Sequence, residues 1–186
     1  VGGLVILFAV VALGPRRGVY KSRVEAFLHP ERTDPDKAYQ SNHAQMAIAT
    51  GGWHGKGLGG STERNYLPQA YSDFIFAIIV EEYGIFAGFF LIFLYLFLLF
   101  RCVKIITRSP KAFGALLATG LSFSLVIQAF ANMAVATHLL PVTGVPLPLV
   151  SMGGTSILFT SFAFGIILSV SRDIEENKKG VLHETA

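Results

Sequence analysis

Acidic residues inside a strongly apolar run constrain this chain more than any other feature of its sequence. Residues 66–84 read YLPQAYSDFIFAIIVEEYG, so Asp73 stands where a polar segment meets an apolar one, and Glu81 and Glu82 lie within the apolar run. Carboxylates are costly at membrane depth, and those that occur there usually face a cavity or a partner rather than lipid. The sequence therefore predicts a fold that shields or uses these groups.

Composition is typical of an integral membrane protein. The chain is 52% hydrophobic and 15% charged, and its mean hydropathy is +0.55. A spanning helix needs about 20 apolar residues. We therefore predict an all-α protein with transmembrane helices over 73–100, 113–140 and 150–170. The apolar stretch over 1–13 is too short to span and is interpreted as a partial transmembrane helix.

The distribution of basic residues predicts the orientation of these helices. Between the first two full spans, the cations Arg101, Lys104, Arg108 and Lys111 occur without an acid. By the positive-inside rule, the 101–112 loop and the 171–186 tail are cytoplasmic. Residues 14–72 and 141–149 are then extracytoplasmic. The longer of these loops is also basic, but long loops translocate largely regardless of charge.

The 14–72 segment is too long to lack structure of its own. Residues 38–50 (AYQSNHAQMAIAT) favour a short amphipathic helix at the membrane surface. Residues 51–60 (GGWHGKGLGG) predict an irregular turn that does not match the P-loop pattern. Its amides, with Lys56 and Arg64, are compatible with an anion site. A solvated surface loop is an equally good interpretation.

The first full span is too long for one membrane crossing. As a single helix, residues 73–100 would measure about 42 Å against a hydrocarbon core of about 30 Å. Its acidic part, residues 73–82, is therefore expected at the outer interface or lining a cavity. Asp73 would then lie about 15 Å above the purely apolar part.

Each polar residue of the spans has a structural and a functional interpretation. Asp73 can be a helix N-cap or a general base, and the two roles are compatible. Glu81 and Glu82 point about 100° apart on a helix, which favours structural pairing. Gln128 and Asn132 share one helix face, where hydrogen bonds to neighbouring helices are favoured over substrate contact.

Five segments together resemble the SEDS family, the FtsW/RodA/SpoVE group of bacterial cell-wall polymerases. They are RVEAFLHP at 23–30, GKGLGGS at 55–61, YLPQAYSDFIFAIIVEEYG at 66–84, QAFANMAVATHLLPVTGVPLPLVSMGGTS at 128–156 and the charged end after SVSR at 169–172. The resemblance covers nearly the whole chain and corresponds to the C-terminal part of a ten-span member. The form LPLVSMGGTS is more similar to FtsW of Bacteroidetes-type bacteria than to RodA. Where many members read Glu, His, Thr, Gly and Tyr, the chain has Gln69, Tyr71, Ser72, Val80 and Met152.

The resemblance implies an enzyme that polymerises lipid II into glycan strands at the outer face of the bacterial plasma membrane during cell division. The family's essential aspartate falls on Asp73, which would act as general base on the acceptor sugar hydroxyl. The substrate-binding candidates are Lys56, Arg64, Arg23, Glu81, Glu82, Gln128, Asn132 and Ser151. Cations, including Arg16 and Arg17, would stabilise the diphosphate, with or without a divalent Mg or Mn ion. No protein metal ligands are predicted.

The expected partners are lipid II, the growing glycan, a class B penicillin-binding transpeptidase and other divisome membrane proteins. Nucleic acid is not expected, because basic residues are not interleaved with aromatic ones. A lipid II flippase and a non-catalytic division scaffold are the alternatives. The second and third full spans carry no acidic or basic residue apart from His138, which disfavours proton-coupled transport by this part of the protein.

Overall fold

The computed structural model describes residues 25, 27, 35–67, 70–107 and 111–184. The predicted partial helix over 1–13 and the cations Arg16, Arg17 and Arg23 lie outside these residues. Every regular element within the described ranges is helical, as predicted. The elements are α1 (Pro35–Gly51), a short 3-10 turn (Glu63–Asn65), α2 (Ile75–Tyr83), α3 (Ile85–Ile106), α4 (Ala112–Ala136) and α5 (Gly154–Glu184).

Three of these helices are long and apolar enough to cross a membrane, over Ile85–Ile105, Ala112–Ala136 and Gly154–Ile174. Their bounds differ from those predicted. α4 ends at Ala136 rather than at residue 140, because the backbone turns at His138 (φ 59°) and Leu139 N–H bonds back to the Ala134 carbonyl at 2.7 Å. Pro141 follows, as is common after a helix end of this kind.

The two other predicted boundaries also move. α3 runs on to Ile106, into the segment predicted as a loop from 101. α5 begins at Gly154 rather than at 150, since residues 148–151 form a turn. It then continues to Glu184, through the predicted tail. The side of the membrane on which each end lies stays a prediction.

The prediction of one continuous helix over 73–100 was wrong. Gly84 separates α2 from α3 with φ 81° and ψ 179°, a backbone region that essentially only glycine adopts. A Cβ on Gly88 would lie 3.1 Å from the Val80 side chain and 3.4 Å from the Phe76 ring. In a straight helix, Val80 and Gly88 would be about 12 Å apart. The chain therefore folds back at Gly84, and α2 lies against the first turns of α3.

α1 packs on α2 through small residues. Its buried positions are Ser41, Ala44, Ala47 and Gly51, which recur at helical spacing. A Cβ on Gly51 would lie 2.2 Å from the Val80 carbonyl oxygen, so the two backbones are in direct contact. The helix predicted over 38–50 is thus present, but small residues that allow close approach form its buried face.

The apolar residues form two cores at different levels of the helices. The first surrounds α2 and includes Ala47, Phe74, Ala77, Ala129 and Leu147. The second core joins the C-terminal part of α3 to the N-terminal and central parts of α4 and α5. Its buried residues are Cys102, Ala118, Leu125, Ala163 and Ile167. The buried Glu81 carboxylate and the buried Asn132 amide both lie beside the first core, whereas the buried polar residues near the second are the hydroxyls Ser122 and Thr160. The candidate functional site therefore lies beside the first core.

Candidate functional site

The turn that carries Asp73 is held by its backbone. We call residues 71–73 the Asp73 turn. The three carbonyl oxygens of this turn accept, in chain order, hydrogen bonds from Met152 N–H (2.9 Å), the Ser151 hydroxyl (2.5 Å) and the Asn132 amide (2.8 Å). All three donors come from α4 or from the segment that follows it. Three consecutive carbonyls tied to distant parts of the chain fix the position of Asp73 firmly.

The donors are themselves tied to the proline-rich segment between α4 and α5. The Asn132 amide also donates to the Val145 carbonyl at 2.8 Å, and Gln128 donates to the Pro146 carbonyl at 3.0 Å. The Ser151 hydroxyl accepts the Leu147 N–H at 2.7 Å. These three side chains therefore join backbone to backbone. Their contacts favour positioning over the substrate binding expected for Gln128, Asn132 and Ser151.

Asn132 leaves one polar atom without a partner. Its residue is 1% exposed, and its Oδ1 has no hydrogen bond within the described part of the protein. Both partners of the amide nitrogen are carbonyl oxygens, so a flipped amide would lose two hydrogen bonds. The orientation of Asn132 is therefore set by its contacts with the Asp73 turn and with Val145.

The Asp73 side chain is half-buried and accepts a hydrogen bond from the Ser72 hydroxyl at 2.9 Å. It is not a helix cap: the N-cap residue of α2 is Phe74, which makes no side-chain capping bond. The distance of about 15 Å expected between Asp73 and the purely apolar part assumed one straight helix, so it does not hold after the break at Gly84. The depth of Asp73 in a membrane stays a prediction. The Asp73 carbonyl meets Asn132, four residues inside the end of a candidate span, or about 6 Å along the helix. The fold-back at Gly84 brings it there.

An open groove of about 520 Å³ lies beside the Asp73 turn. It is lined by Arg64, Leu67, Ala70, Tyr71, Ser72 and Met152. Arg64 is half-buried, and its backbone N–H donates to the Ser61 hydroxyl at 3.1 Å. Asp73 adjoins the groove through Ser72. The groove is thus lined by Arg64 and by Ser72, the residue whose hydroxyl binds the Asp73 carboxylate.

Glu81 occupies a different environment, which we call the Glu81 site. Its side chain is fully buried and accepts hydrogen bonds from Lys56 Nζ (2.6 Å), the Ser61 hydroxyl and the Thr62 N–H (3.1 Å). Burial alone would raise the pKa of this carboxyl. The hydrogen bonds from Lys56, Ser61 and Thr62 outweigh burial and hold the pKa below its ordinary value. Glu81 is thus an ionised, fully paired group.

The glycine-rich segment 51–60, here the glycine loop, is fastened to the end of α2. The Lys56 N–H donates to the Glu81 carbonyl and the Gly57 N–H to the Glu82 carbonyl, both at 2.9 Å. A Cβ on Gly55 would lie 2.2 Å from the Glu82 carbonyl oxygen. These glycines permit close backbone contact, and α2 already uses two of the amides that an anion cradle would need.

The predicted substrate residues therefore separate into groups. Arg64 lines the groove, whereas Lys56 and Glu81 bind each other away from it. Glu82 is half-buried and contributes its carbonyl to the glycine loop. Arg23 lies outside the described residues. Within these residues no three His, Cys, Asp or Glu side chains group to hold a metal ion, and the optional Mg or Mn ion at the diphosphate stays a prediction.

Sequence reasoning missed several residues of this region. Ser61, Thr62 and Ser72 supply hydroxyls to the two carboxylates. Tyr95 on α3 is buried and donates its hydroxyl to the Pro148 carbonyl at 2.5 Å. Only Tyr95 had a signal in the sequence, because a phenol within an apolar span needs a hydrogen-bond partner. Serine and threonine are too common in loops and turns for these three residues to stand out.

Comparison with known proteins agrees with this architecture. A family model described as cell cycle protein, of the FtsW/RodA/SpoVE group, matches residues 1–176. A probable peptidoglycan glycosyltransferase FtsW from Nitrosomonas europaea is 39% identical over 181 residues, 95% of this chain and 46% of the relative. One from Thioalkalivibrio is 39% identical over 158 residues, 83% of this chain and 40% of the relative.

A solved structure is also similar. A chain from a peptidoglycan synthase complex, described as coordinating polymerization and crosslinking, superimposes with a TM-score of 0.68 at 31% identity. The match covers 92% of this chain and 48% of that one, so this chain spans about half the length of its relatives. Family model, relatives and solved structure agree with the resemblance seen in the sequence, and the chain is a multi-pass membrane protein that belongs to the FtsW/RodA/SpoVE family.

Proposed function

We propose that the protein to which this chain belongs polymerises lipid II into glycan strands, with Asp73 as the general base. The observation that carries the proposal is the geometry of the Asp73 turn. A half-buried carboxylate stands on a backbone fixed by three hydrogen bonds, next to a groove that Arg64 lines. The names of the relatives, probable peptidoglycan glycosyltransferases, support the same reaction.

The chemistry asks for one base. The Asp73 carboxylate takes the proton of the acceptor sugar hydroxyl as that oxygen attacks the anomeric carbon of the donor. The bond from the anomeric carbon to the diphosphate oxygen breaks on the opposite face, and the diphosphate leaves with the electron pair. Because this leaving group is already an anion, no general acid is needed, in contrast to the paired carboxylates of glycosidases.

Arg64 is proposed to stabilise the departing diphosphate. Guanidinium groups bind phosphate oxygens in a bidentate manner, and Arg64 lines the groove beside Asp73. Lys56 is a poorer candidate, because its ammonium group is 2.6 Å from the buried Glu81 carboxylate. Arg23 is proposed as a further contact to the diphosphate, because it begins the segment RVEAFLHP that resembles the family.

The reaction is proposed to take place at the outer face of the bacterial plasma membrane. The basic residues of the 101–112 segment and of the tail support this orientation, since the positive-inside rule favours the cytoplasmic side for such segments. A class B penicillin-binding transpeptidase is the proposed partner. The similar solved chain comes from a complex that combines polymerization with crosslinking, which supports such a pairing.

The test is glycan synthesis by the full-length protein with its transpeptidase partner, comparing wild type with Asp73→Asn and Arg64→Gln. General bases contribute about 10²–10⁴-fold in rate. We expect Asp73→Asn to lose polymerisation by that factor while thermal unfolding stays near that of wild type. Arg64→Gln should raise KM and lower kcat without abolishing activity.

Other outcomes favour the alternatives. Full activity of Asp73→Asn would contradict the proposed base and would agree with a scaffold. Translocation of lipid II across vesicles by the Asp73→Asn variant, without polymer, would indicate a flippase activity separate from the chemistry. A variant that unfolds gives no answer, so Ser151→Thr, which keeps the hydroxyl at the Asp73 turn, serves as a folding control.

A further inference from the structure

The glycine loop has an outward face that neither the Asp73 groove nor the Glu81 site uses. On this face Trp53 is 67% exposed, and Leu58, elsewhere in the loop, is 78% exposed. Phe86, in the first turn of α3, is 58% exposed, and its ring centroid lies 5.7 Å from that of Trp53. Tyr83 beside them is also exposed. Large apolar side chains grouped on a surface of this kind mark an interaction site.

The face is held rigidly at the point where a candidate span begins. Ile85 N–H donates to the Gly52 carbonyl at 2.9 Å. A Cβ on Gly84 would lie 2.2 Å from the Trp53 carbonyl oxygen, so the loop backbone touches the corner between α2 and α3. Trp53 therefore cannot move far from the end of the span that starts at Ile85.

The apolar face continues along α3. Exposed phenylalanines follow Phe86 on this helix, namely Phe89, Phe90, Phe93, Phe97 and Phe100. The candidate span is only 17% buried within the structure. A continuous apolar strip thus runs from the helix up to the loop, with the indole and the Tyr83 phenol at its top. Tryptophan and tyrosine are enriched at the membrane–water interface, where their rings lie at the level of the lipid headgroups.

We propose that the Trp53 face of the glycine loop inserts into the interfacial region of the bilayer, next to the start of α3. Its occupant is lipid, and the amphipathic indole takes the boundary between headgroups and acyl chains. The insertion fixes the height of the α2–α3 corner in the membrane. Because α2 connects this corner to the Asp73 turn, the same contact sets the depth at which Asp73 stands.

The test uses Trp53 as its own probe, since it is the one tryptophan in these 186 residues. The full-length protein is placed in bilayers brominated near the headgroup or near the chain end, and the emission that disappears in Trp53→Phe is assigned to Trp53. We expect that emission to be lost mainly with bromine near the headgroup. Trp53→Phe combined with Phe97→Trp is the matched control on the same strip, and its emission should be lost mainly with deep bromine.

Two results would overturn the proposal. Quenching of Trp53 by acrylamide but by neither brominated lipid would place the ring in water. Quenching by none of the three would mean that protein covers the face. A second measurement does not depend on fluorescence: Trp53→Tyr should keep the thermal stability of the protein in bilayers, and Trp53→Ser should lower it. Equal stability of the two would also count against insertion.

Discussion

Two carboxylates near opposite ends of one short helix behave differently. Asp73 precedes α2, is half-buried and has one described hydrogen bond to its side chain, from Ser72. Glu81 lies in the last turn of α2, is fully buried and is paired with Lys56, Ser61 and Thr62. At Asp73 the hydrogen bonds from other parts of the chain go to the backbone carbonyls. At Glu81 they go to the side-chain carboxylate.

The difference indicates which carboxylate is available for chemistry. A buried carboxylate that accepts several charge-assisted hydrogen bonds is stabilised in its ionised form and gives up that stabilisation if it takes a proton. A carboxylate on a fixed backbone with spare acceptor capacity can accept a proton from a substrate at little structural cost. The position of an acidic residue near a membrane is therefore not enough to identify it as a base. The number of hydrogen-bond donors around its carboxylate decides whether it is available to take a proton.

The different environments of Asp73 and Glu81 depend on the fold-back at Gly84. Substitution of Gly84 should therefore have the largest effect on stability. Gly84→Ala places a Cβ 2.2 Å from the Trp53 carbonyl at a φ of 81°. Backbone strain and the clash together should cost at least about 3 kcal/mol. We expect a large drop in Tm, or no folded protein, in thermal unfolding of the full-length protein.

Gly165→Ala is the control for that substitution. Gly165 lies within α5 with nothing within 4 Å of its added Cβ, so helix propensity should make the change neutral or stabilising by about 0.5–1 kcal/mol. If Gly84→Ala matched Gly165→Ala in Tm, the corner between α2 and α3 would not be required and the position assigned to Asp73 would fail.

Lys56→Met tests the Glu81 half of the comparison. It leaves a buried carboxylate without its cation, and breaking a buried pair typically costs 3–5 kcal/mol. Because Lys56 is 29% exposed, we expect a loss of about 2–3 kcal/mol of unfolding free energy. Lys56→Arg keeps the charge and should lose less. A Lys56→Met protein as stable as wild type but unable to bind substrate would instead indicate a role for Lys56 at the diphosphate.

The pH dependence of the free energy of unfolding also tests the pairing of Glu81. The pKa of Glu81 is lowered by folding from its ordinary value of 4.5, so the unfolded chain binds this proton more readily. The contribution of Glu81 is complete above the ordinary pKa and disappears as pH falls through the lowered one. In thermal unfolding from neutral to acidic pH, the Tm difference between wild type and Glu81→Gln should narrow on acidification. A constant difference would contradict the pairing.

The sequence predicted the helical class because apolar runs of spanning length leave few other folds. It also indicated that residues 73–82 do not face lipid, since three carboxylates there would be too costly. The helix face shared by Gln128 and Asn132 favoured hydrogen bonds within the protein, and both amides do donate to backbone carbonyls. Their role in substrate binding stays a prediction.

The fold-back was not predictable from the same pattern. Apolar residues continue on both sides of residues 81–84, and a single glycine in a helix is usually tolerated. What turns the chain is tertiary contact: the glycine loop against Gly84, and Val80 against Gly88. The partners of the Asp73 turn were equally hidden, because a backbone carbonyl has no signature in a sequence. The smallest effect is expected from the loss of one hydrogen bond to a carbonyl of the Asp73 turn.

Ser151→Ala removes a hydroxyl that both donates to the Ser72 carbonyl and accepts the Leu147 N–H. Losing a buried hydroxyl of this kind should cost about 1–2 kcal/mol of unfolding free energy. The turn beside Asp73 also loses one of its three anchors, so kcat should fall roughly tenfold or less, with KM nearly unchanged. Ser151→Thr keeps the hydroxyl and should retain kcat. If both variants lost stability while kcat held, Ser151 would support the fold without positioning the base.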